Sequence, residues 1–210
     1  PAPEAELLRE ALAQPIGAPP LRQVARAGEK VAIVTSDLTR PCPSRRLLPA
    51  VLEELAAAGV ADADITVVLA LGLHRPMTGA EVEAAVSSDV VRRVRVLNHD
   101  PDDTVRLGVT AAGTPVEIYR PVVEAGLRVC LGNLELHYFA GYSGGAKAIL
   151  PGCASRAAVN ANHAMMVRPE AAAGRLEGNP VRADMEEGAA LAGPAWILNV
   201  VVDSHRQAHA

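Results

Sequence analysis

Only two of the twenty basic residues in this chain are lysines, Lys30 and Lys147. Lys147 closes a glycine-rich run, Gly141-Tyr142-Ser143-Gly144-Gly145-Ala146-Lys147. A guanidinium stays charged, whereas an ammonium can lose its proton and then attack an electrophile or carry a covalent link. Glycines let the backbone approach an anion, and a helix opening after them would aim its first N–H groups at a phosphate. The amine is therefore a candidate for covalent or phosphate chemistry, although alone it also fits an ordinary surface lysine. The run lacks the four-residue spacer and the Ser/Thr of a Walker A loop, and it does not match the dinucleotide fingerprint. Its surroundings sharpen it. His137-Tyr138-Phe139-Ala140 leads in, so this stretch holds three of the five aromatic residues, and His163 follows sixteen residues after Lys147.

Other side chains suited to chemistry fall in two earlier clusters. Ser36-Asp37-Leu38-Thr39-Arg40-Pro41 puts an acid and a base beside each other. Asp37 can cap the next turn with Arg40 paired to it, or Arg40 can hold a carboxylate or phosphate in fork geometry. Gly72-Leu73-His74-Arg75-Pro76 places an imidazole in a stiff loop, where acid–base work and simple structure are both open readings. His163, in Asn160-Ala161-Asn162-His163, has no second His or Cys at metal-ligand spacing, so by itself it fits a hydrogen-bonded helix histidine. His99 reads as a turn residue, and His205 and His209 lie in the tail; none of these three is assigned a role. Arg45 and Arg46 read as solvated helix residues.

These clusters need elements to position them. Val31–Thr35, Asp64–Leu71, Val90–Asn98, Arg128–Gly132 and Trp196–Val202 read as strands from their β-branched and apolar runs. A helix is expected from about Pro43 to Ala58, stopped by Gly59. Thr78 with Glu81 three residues on forms a capping-box pattern that opens a helix to about Val86. The stretch from Asp103 to Tyr119, alternating around Gly108 and Gly113, predicts a β-hairpin or meander, and Ala171–Gly174 a mobile loop. Strand–loop–helix order of this kind predicts an α/β fold: a mainly parallel sheet flanked by helices, Rossmann-like, with the hairpin as an insertion. Ligands of such sheets gather beyond the carboxyl ends of the strands. Asp37–Arg40, Gly72–Pro76 and Glu135–Lys147 each follow a strand, so they should meet on one edge.

Bulk properties bound the function. The 210 residues are enough for one large domain, taken here as a single α/β cofactor-binding domain over 1–210. Half are apolar yet only five are aromatic, so the core must be built from Ala, Val and Leu. A net charge of −4 argues against a general nucleic-acid binder. No apolar run approaches the ~18 residues of a membrane span, and no signal peptide is visible. Cys42, Cys130 and Cys153 are odd in number and widely spaced, which suits reduced thiols in a cytoplasm. The start at Pro1 and the stop soon after an apolar run suggest part of a longer protein.

Taken in series, Ser36–Pro41, Gly72-Leu73-His74-Arg75-Pro76-Met77-Thr78, His137–Lys147 and His163 resemble the lactate racemase family that uses a nickel-pincer nucleotide. The match in order and spacing runs from about Lys30 to His163. The resemblance implies a pyridinium mononucleotide whose thioamide is formed with a lysine, here Lys147, and whose nickel takes its protein ligand from His163. It implies two histidines acting on opposite faces of a 2-hydroxy acid, His74 and His137. Asp37 and Arg40 fall in the family's loop after the first strand, where Arg40 would bind substrate carboxylate or cofactor phosphate. Tyr142, Ser143, Gly144 and Gly145 complete the expected cofactor-binding set. Separate maturation enzymes would supply the cofactor. Family members are longer and add substrate-binding residues, including another lysine, from a C-terminal domain. The expectation is thus a racemase or epimerase of 2-hydroxy acids, or its N-terminal cofactor domain. A non-catalytic nucleotide-binding module, and an ordinary α/β nucleotide-binding enzyme without nickel, are the alternatives.

Overall fold

The computed structural model describes residues 3–203 and 208–209; His205 lies outside them. In chain order come α1 (Glu4–Ala13), α2 (Leu21–Val24), β1 (Val31–Ser36), α3 (Ser44–Ala57), β2 (Ile65–Ala70), α4 (Gly79–Val86), α5 (Ser88–Arg93) and β3 (Arg95–Asn98). Then follow β4 (Thr104–Val109), β5 (Pro115–Tyr119), α6 (Arg120–Val123), β6 (Leu127–Asn133), β7 (Leu136–His137) and β8 (Gly141–Tyr142). A 3-10 turn (Gly145–Ala148), α7 (Arg156–Ala164), α8 (Pro180–Leu191) and β9 (Ala195–Val200) complete the series.

Five strands form one parallel sheet in the order β3-β2-β1-β6-β9. Successive side chains of a strand point to opposite faces, so the central strands feed two cores. Ile33, Val67, Leu69, Val129 and Leu131 pack with Leu48, Leu52 and Leu55 of α3 on one face. Val34, Val68 and Cys130 pack on the other with Val116 and Ile118 of β5, Leu150, and Ala158 and Val159 of α7. Both faces being covered is why Val31–Val34 of β1 and Val129–Leu131 of β6 are apolar at successive positions. A third cluster joins Phe139, Ala140, Met165, Val181 and Met185 beside the glycine-rich segment.

The α/β class, the parallel sheet and the hairpin are as the residues predict. β4 and β5 pair antiparallel, with a bulge between Arg106 and Gly108. Gly59 ends the α3 region with φ 82°, and Thr78 and Glu81 cap each other's backbone as expected. One expected element is wrong in part. The Val90–Asn98 strand begins only at Arg95, because Ser87 accepts the Val90 N–H and starts a short helix first. His99, expected in a turn, lies just ahead of the turn that begins at Pro101 and is buried, 2% exposed. Ala171–Gly174, expected to be mobile, is tied down: the Gly174 N–H donates to Gly141 O at 3.0 Å, and Ala171 packs against the third cluster.

Candidate functional site

A cavity of about 390 Å³ opens beyond the carboxyl ends of β1, β2, β6 and β9. Sheet order turns back between β1 and β6, the place where ligands of such sheets bind. Thr35 and Ser36 at the end of β1, Asn133 at the end of β6 and Asn199 on β9 form the floor. The wall holds Lys147 together with His74, His137 and His163, although these four are spread over ninety residues of chain. Arg40, Ser143, Gly144 and Gly145 also line it. Asp37 lies behind His74, and Tyr142 lies outside the lining.

Each residue is held for a local reason. Asp37 is buried at the exit of β1, where its Oδ1 accepts the Thr39 N–H (3.1 Å) and hydroxyl (2.6 Å). Its Oδ2 stands 2.6 Å from His74 Nδ1. An acceptor carboxylate there favours the proton on Nδ1 and leaves the Nε2 lone pair free. The His74 side chain is 55% exposed, at the mouth. Arg40 pairs with Glu135 at 3.2 Å rather than with Asp37.

His137 is the opposite case: 6% exposed, ending β7, with Nδ1 accepting the Ala140 N–H at 3.2 Å. In the neutral ring its proton therefore sits on Nε2. Burial, then the charges of Lys147, Arg40 and His163, push it down to about 4. Ser143 is a brace: its hydroxyl donates to Asn133 O (2.6 Å) and accepts the Glu135 N–H (2.9 Å).

Lys147 rides the 3-10 turn that follows Gly144, whose φ of 76° suits glycine. Burial, reinforced by Arg40 and Arg182 and opposed by Glu135, lowers its ammonium to about 7. A large fraction of the amine is then neutral and nucleophilic near physiological pH. His163 sits in the last turn of α7, whose N-cap Ser155 accepts the Ala158 N–H. Burial and Lys147 lower it too.

Cys130 reaches the wall, but burial pushes its thiol up to about 12, so it is no nucleophile. Cys153 and Cys42 are likewise raised by burial.

Sequence reading missed several participants. Arg182 and Glu135 adjust Lys147, and Asn133 and Asn199 line the floor. The Asn133 Nδ2 and Asn199 Oδ1 atoms are buried without hydrogen-bond partners. Asn179-Pro180 does signal a helix start, but nothing in the sequence aims Arg182 at an amine 35 residues away.

The arrangement suits an anionic group bearing both donors and acceptors. A Cβ on Gly144 would stand 2.9 Å from Asn199 Oδ1, and one on Gly132 2.8 Å, so the glycines keep the floor open. Arg40, Arg182 and Lys147 bring positive charge, and the orphaned amides of Asn133 and Asn199 seek partners. Among the described residues no three His, Cys, Asp or Glu side chains converge to hold a metal. A metal at His163 would need its other donors from a bound molecule. On these grounds the lining fits an anionic molecule held beside the Lys147 amine and the His163 ring.

Residues 1–174 match the model of the lactate racemase N-terminal domain. The chain is 39% identical over 206 residues to a lactate racemase of Thermoanaerobacterium thermosaccharolyticum, covering 96% of this chain and 48% of that protein. It is 35% identical over 209 residues to a lactate racemase of Lactiplantibacillus plantarum, covering 97% and 49%. It thus spans about half the length of the curated relatives it matches. The Thermoanaerobacterium lactate racemase apoprotein structure superposes with a TM-score of 0.91 at 39% identity, covering 99% of this chain and 51% of that one. A crystal structure of a Thermotoga maritima protein superposes at 0.79 with 21% identity, covering 99% and 53%, and shows the fold alone.

Proposed function

The chain belongs to the lactate racemase N-terminal domain family, and from that premise we propose that it is the cofactor-binding domain of a racemase or epimerase of small 2-hydroxy acids. The observation that carries this reading is the meeting of Lys147, His74, His137 and His163 on one cavity. Lys147 would join the nickel-pincer nucleotide covalently, His163 would give its metal an imidazole, and Arg40 and Arg182 would offset its negative charge. When bound, the group supplies an acceptor for the hydrogen on the carbinol carbon, which is too weak an acid to leave as a proton.

The chain's own residues handle the hydroxyl proton and the carboxylate. Asp37 holds the proton on His74 Nδ1, so Nε2 can take the hydroxyl proton as substrate is oxidised toward a flat 2-oxo acid. Arg40, released from Glu135, offers two N–H groups to the substrate carboxylate. His137 begins neutral, with its proton on Nε2. To return a proton on the second face it must first become an imidazolium, which a bound carboxylate or phosphate would favour by countering Lys147, Arg40 and His163. The added proton would sit on Nδ1 and displace the Ala140 N–H, so that Nε2–H can be given up and a neutral ring left. An anion drawn in by Arg40 and Lys147 would thereby ease the depression of Lys147, His137 and His163.

Intact mass tests the reading. Chain produced alongside nickel-pincer maturation enzymes should gain the mass of the nucleotide, and Lys147→Arg should not. In a longer protein that joins this chain to the second half found in its relatives, racemisation of a 2-hydroxy acid should depend on the same lysine. No adduct on Lys147 under these conditions rules the reading out; an adduct without turnover of any 2-hydroxy acid points to a carrier module.

A further inference from the structure

Asn162, wholly buried on α7 one residue before His163, has both amide protons committed. Its Nδ2 donates to Val181 O at 3.1 Å and to Asp184 Oδ2 at 2.7 Å. Turning the amide over would set its oxygen against two acceptors, so the carbonyl oxygen must be the atom that faces His163. That oxygen lies 3.2 Å from His163 Nδ1. Only an N–H can satisfy it, so Nδ1 carries the proton and the neutral ring keeps its lone pair on Nε2; the ring also bonds the Val159 backbone one turn earlier on α7. Phe139 meets the same ring edge-on, with centroids 5.0 Å apart.

Asp184 is itself 1% exposed, on α8. Besides Asn162 it accepts the Thr110 hydroxyl on Oδ1 and the Thr114 hydroxyl on Oδ2, the latter at 2.9 Å. The Thr114 N–H in turn donates to Thr110 Oγ1 at 3.1 Å. Thr110 and Thr114 lie in the turn region of the β4–β5 hairpin. The hairpin, α8 and α7 are therefore locked together by one buried carboxylate whose neutral donors leave it a single way to address Asn162.

We propose that Asp184 and Asn162 are positioning residues that fix the tautomer of His163, so that Nε2 is the nitrogen offered to the cavity. The orientation follows from the hydrogen bonds alone; its use, to hold the metal of a bound nucleotide, rests on the function proposed above. Outer partners of this kind set ring orientation and ligand basicity, and losing one typically lowers metal affinity about 10–100-fold.

Nitrogen NMR of the uniformly labelled chain, using long-range couplings from the ring protons at mildly alkaline pH, tests the tautomer without cofactor. His163 is assigned by the signal lost in His163→Gln. The expected wild-type result is a protonated Nδ1 and an unprotonated Nε2, and Asn162→Ala should move proton population to Nε2. A wild-type ring protonated on Nε2 overturns the proposal even if the variant fails to fold, as does a tautomer unmoved in a folded Asn162→Ala. In nucleotide-loaded protein, nickel retention against a chelator should fall about 10–100-fold in Asn162→Ala, and equal retention overturns the positioning role. If the wild-type chain shows the Nδ1–H form, shifted by the variant, yet takes up no nucleotide mass, this inference stands and the proposed function falls.

Discussion

The charge of Lys147 depresses both His137 and His163, and Arg40 in turn depresses Lys147. Arg40 is the largest charge acting on Lys147 after burial, so Arg40→Ala should raise the Lys147 titration above about 7, back toward an ordinary lysine. Carbon NMR of labelled lysine reads this directly, because only Lys30 shares the spectrum. The dyad of Asp37 and His74 makes a kinetic prediction. In a nucleotide-loaded racemase, His74→Ala should lower kcat by about 10²–10⁴-fold. Asp37→Asn should act in the same direction with little change in KM, since it misplaces a proton rather than removing a substrate contact. Lysine 147 was legible because scarcity and neighbouring glycines set it apart. Arg182, Asn162 and Asp184 were not, because what singles them out is burial and partners far along the chain. Asp37 illustrates the middle ground: its capping role could be read from Thr39 nearby, its grip on His74 could not.

Among the elements, the glycine-rich segment is the most constrained. Gly141 has φ 79°, and a Cβ there would stand 2.1 Å from Arg175 O. Gly141→Ala should cost at least about 1–3 kcal/mol of stability, with a lowered Tm, because backbone strain and a backbone collision coincide. Thr78→Ala, which removes one side of the capping box, should cost about 1 kcal/mol and lower Tm. The capping box was visible in sequence because both partners lie within four residues. The start of α5 was not: Val90 and Val91 have strand-like side chains, and only the Ser87 cap, with its own φ of 84°, turns them helical. The two-residue β7–β8 pair was too short to leave a pattern, although it is what brings His137 beside Gly141.

At the scale of the whole molecule, the chain carries cations that folding disfavours. Burial depresses His99 and His137 to about 4. A folded pKa below the unfolded one means the unfolded chain binds the proton more tightly, so stability falls as pH drops from about 6.5 through about 4. Each histidine can contribute a loss of about 3 kcal/mol over that window. By the same sign, Lys147 makes stability rise between about 7 and 10.5. Urea unfolding across pH should show both slopes, and His99→Gln should flatten the acid one. The α/β class and the edge where the loops meet could be read from strand order and polar clusters, since periodicity reports burial on two faces. The lateral order of strands could not, because parallel pairing leaves no mark in any single segment. The two lysines sit at opposite ends of this fold, Lys30 exposed and paired with Asp64 ahead of β1, Lys147 in the cavity wall. A lysine-specific protease acting on the denatured chain thus has two places to cut. Acylating the second amine erases one of them, so residues 31–210 would survive as a single fragment, and a gel lane becomes a gauge of how much of a preparation carries an adduct on Lys147.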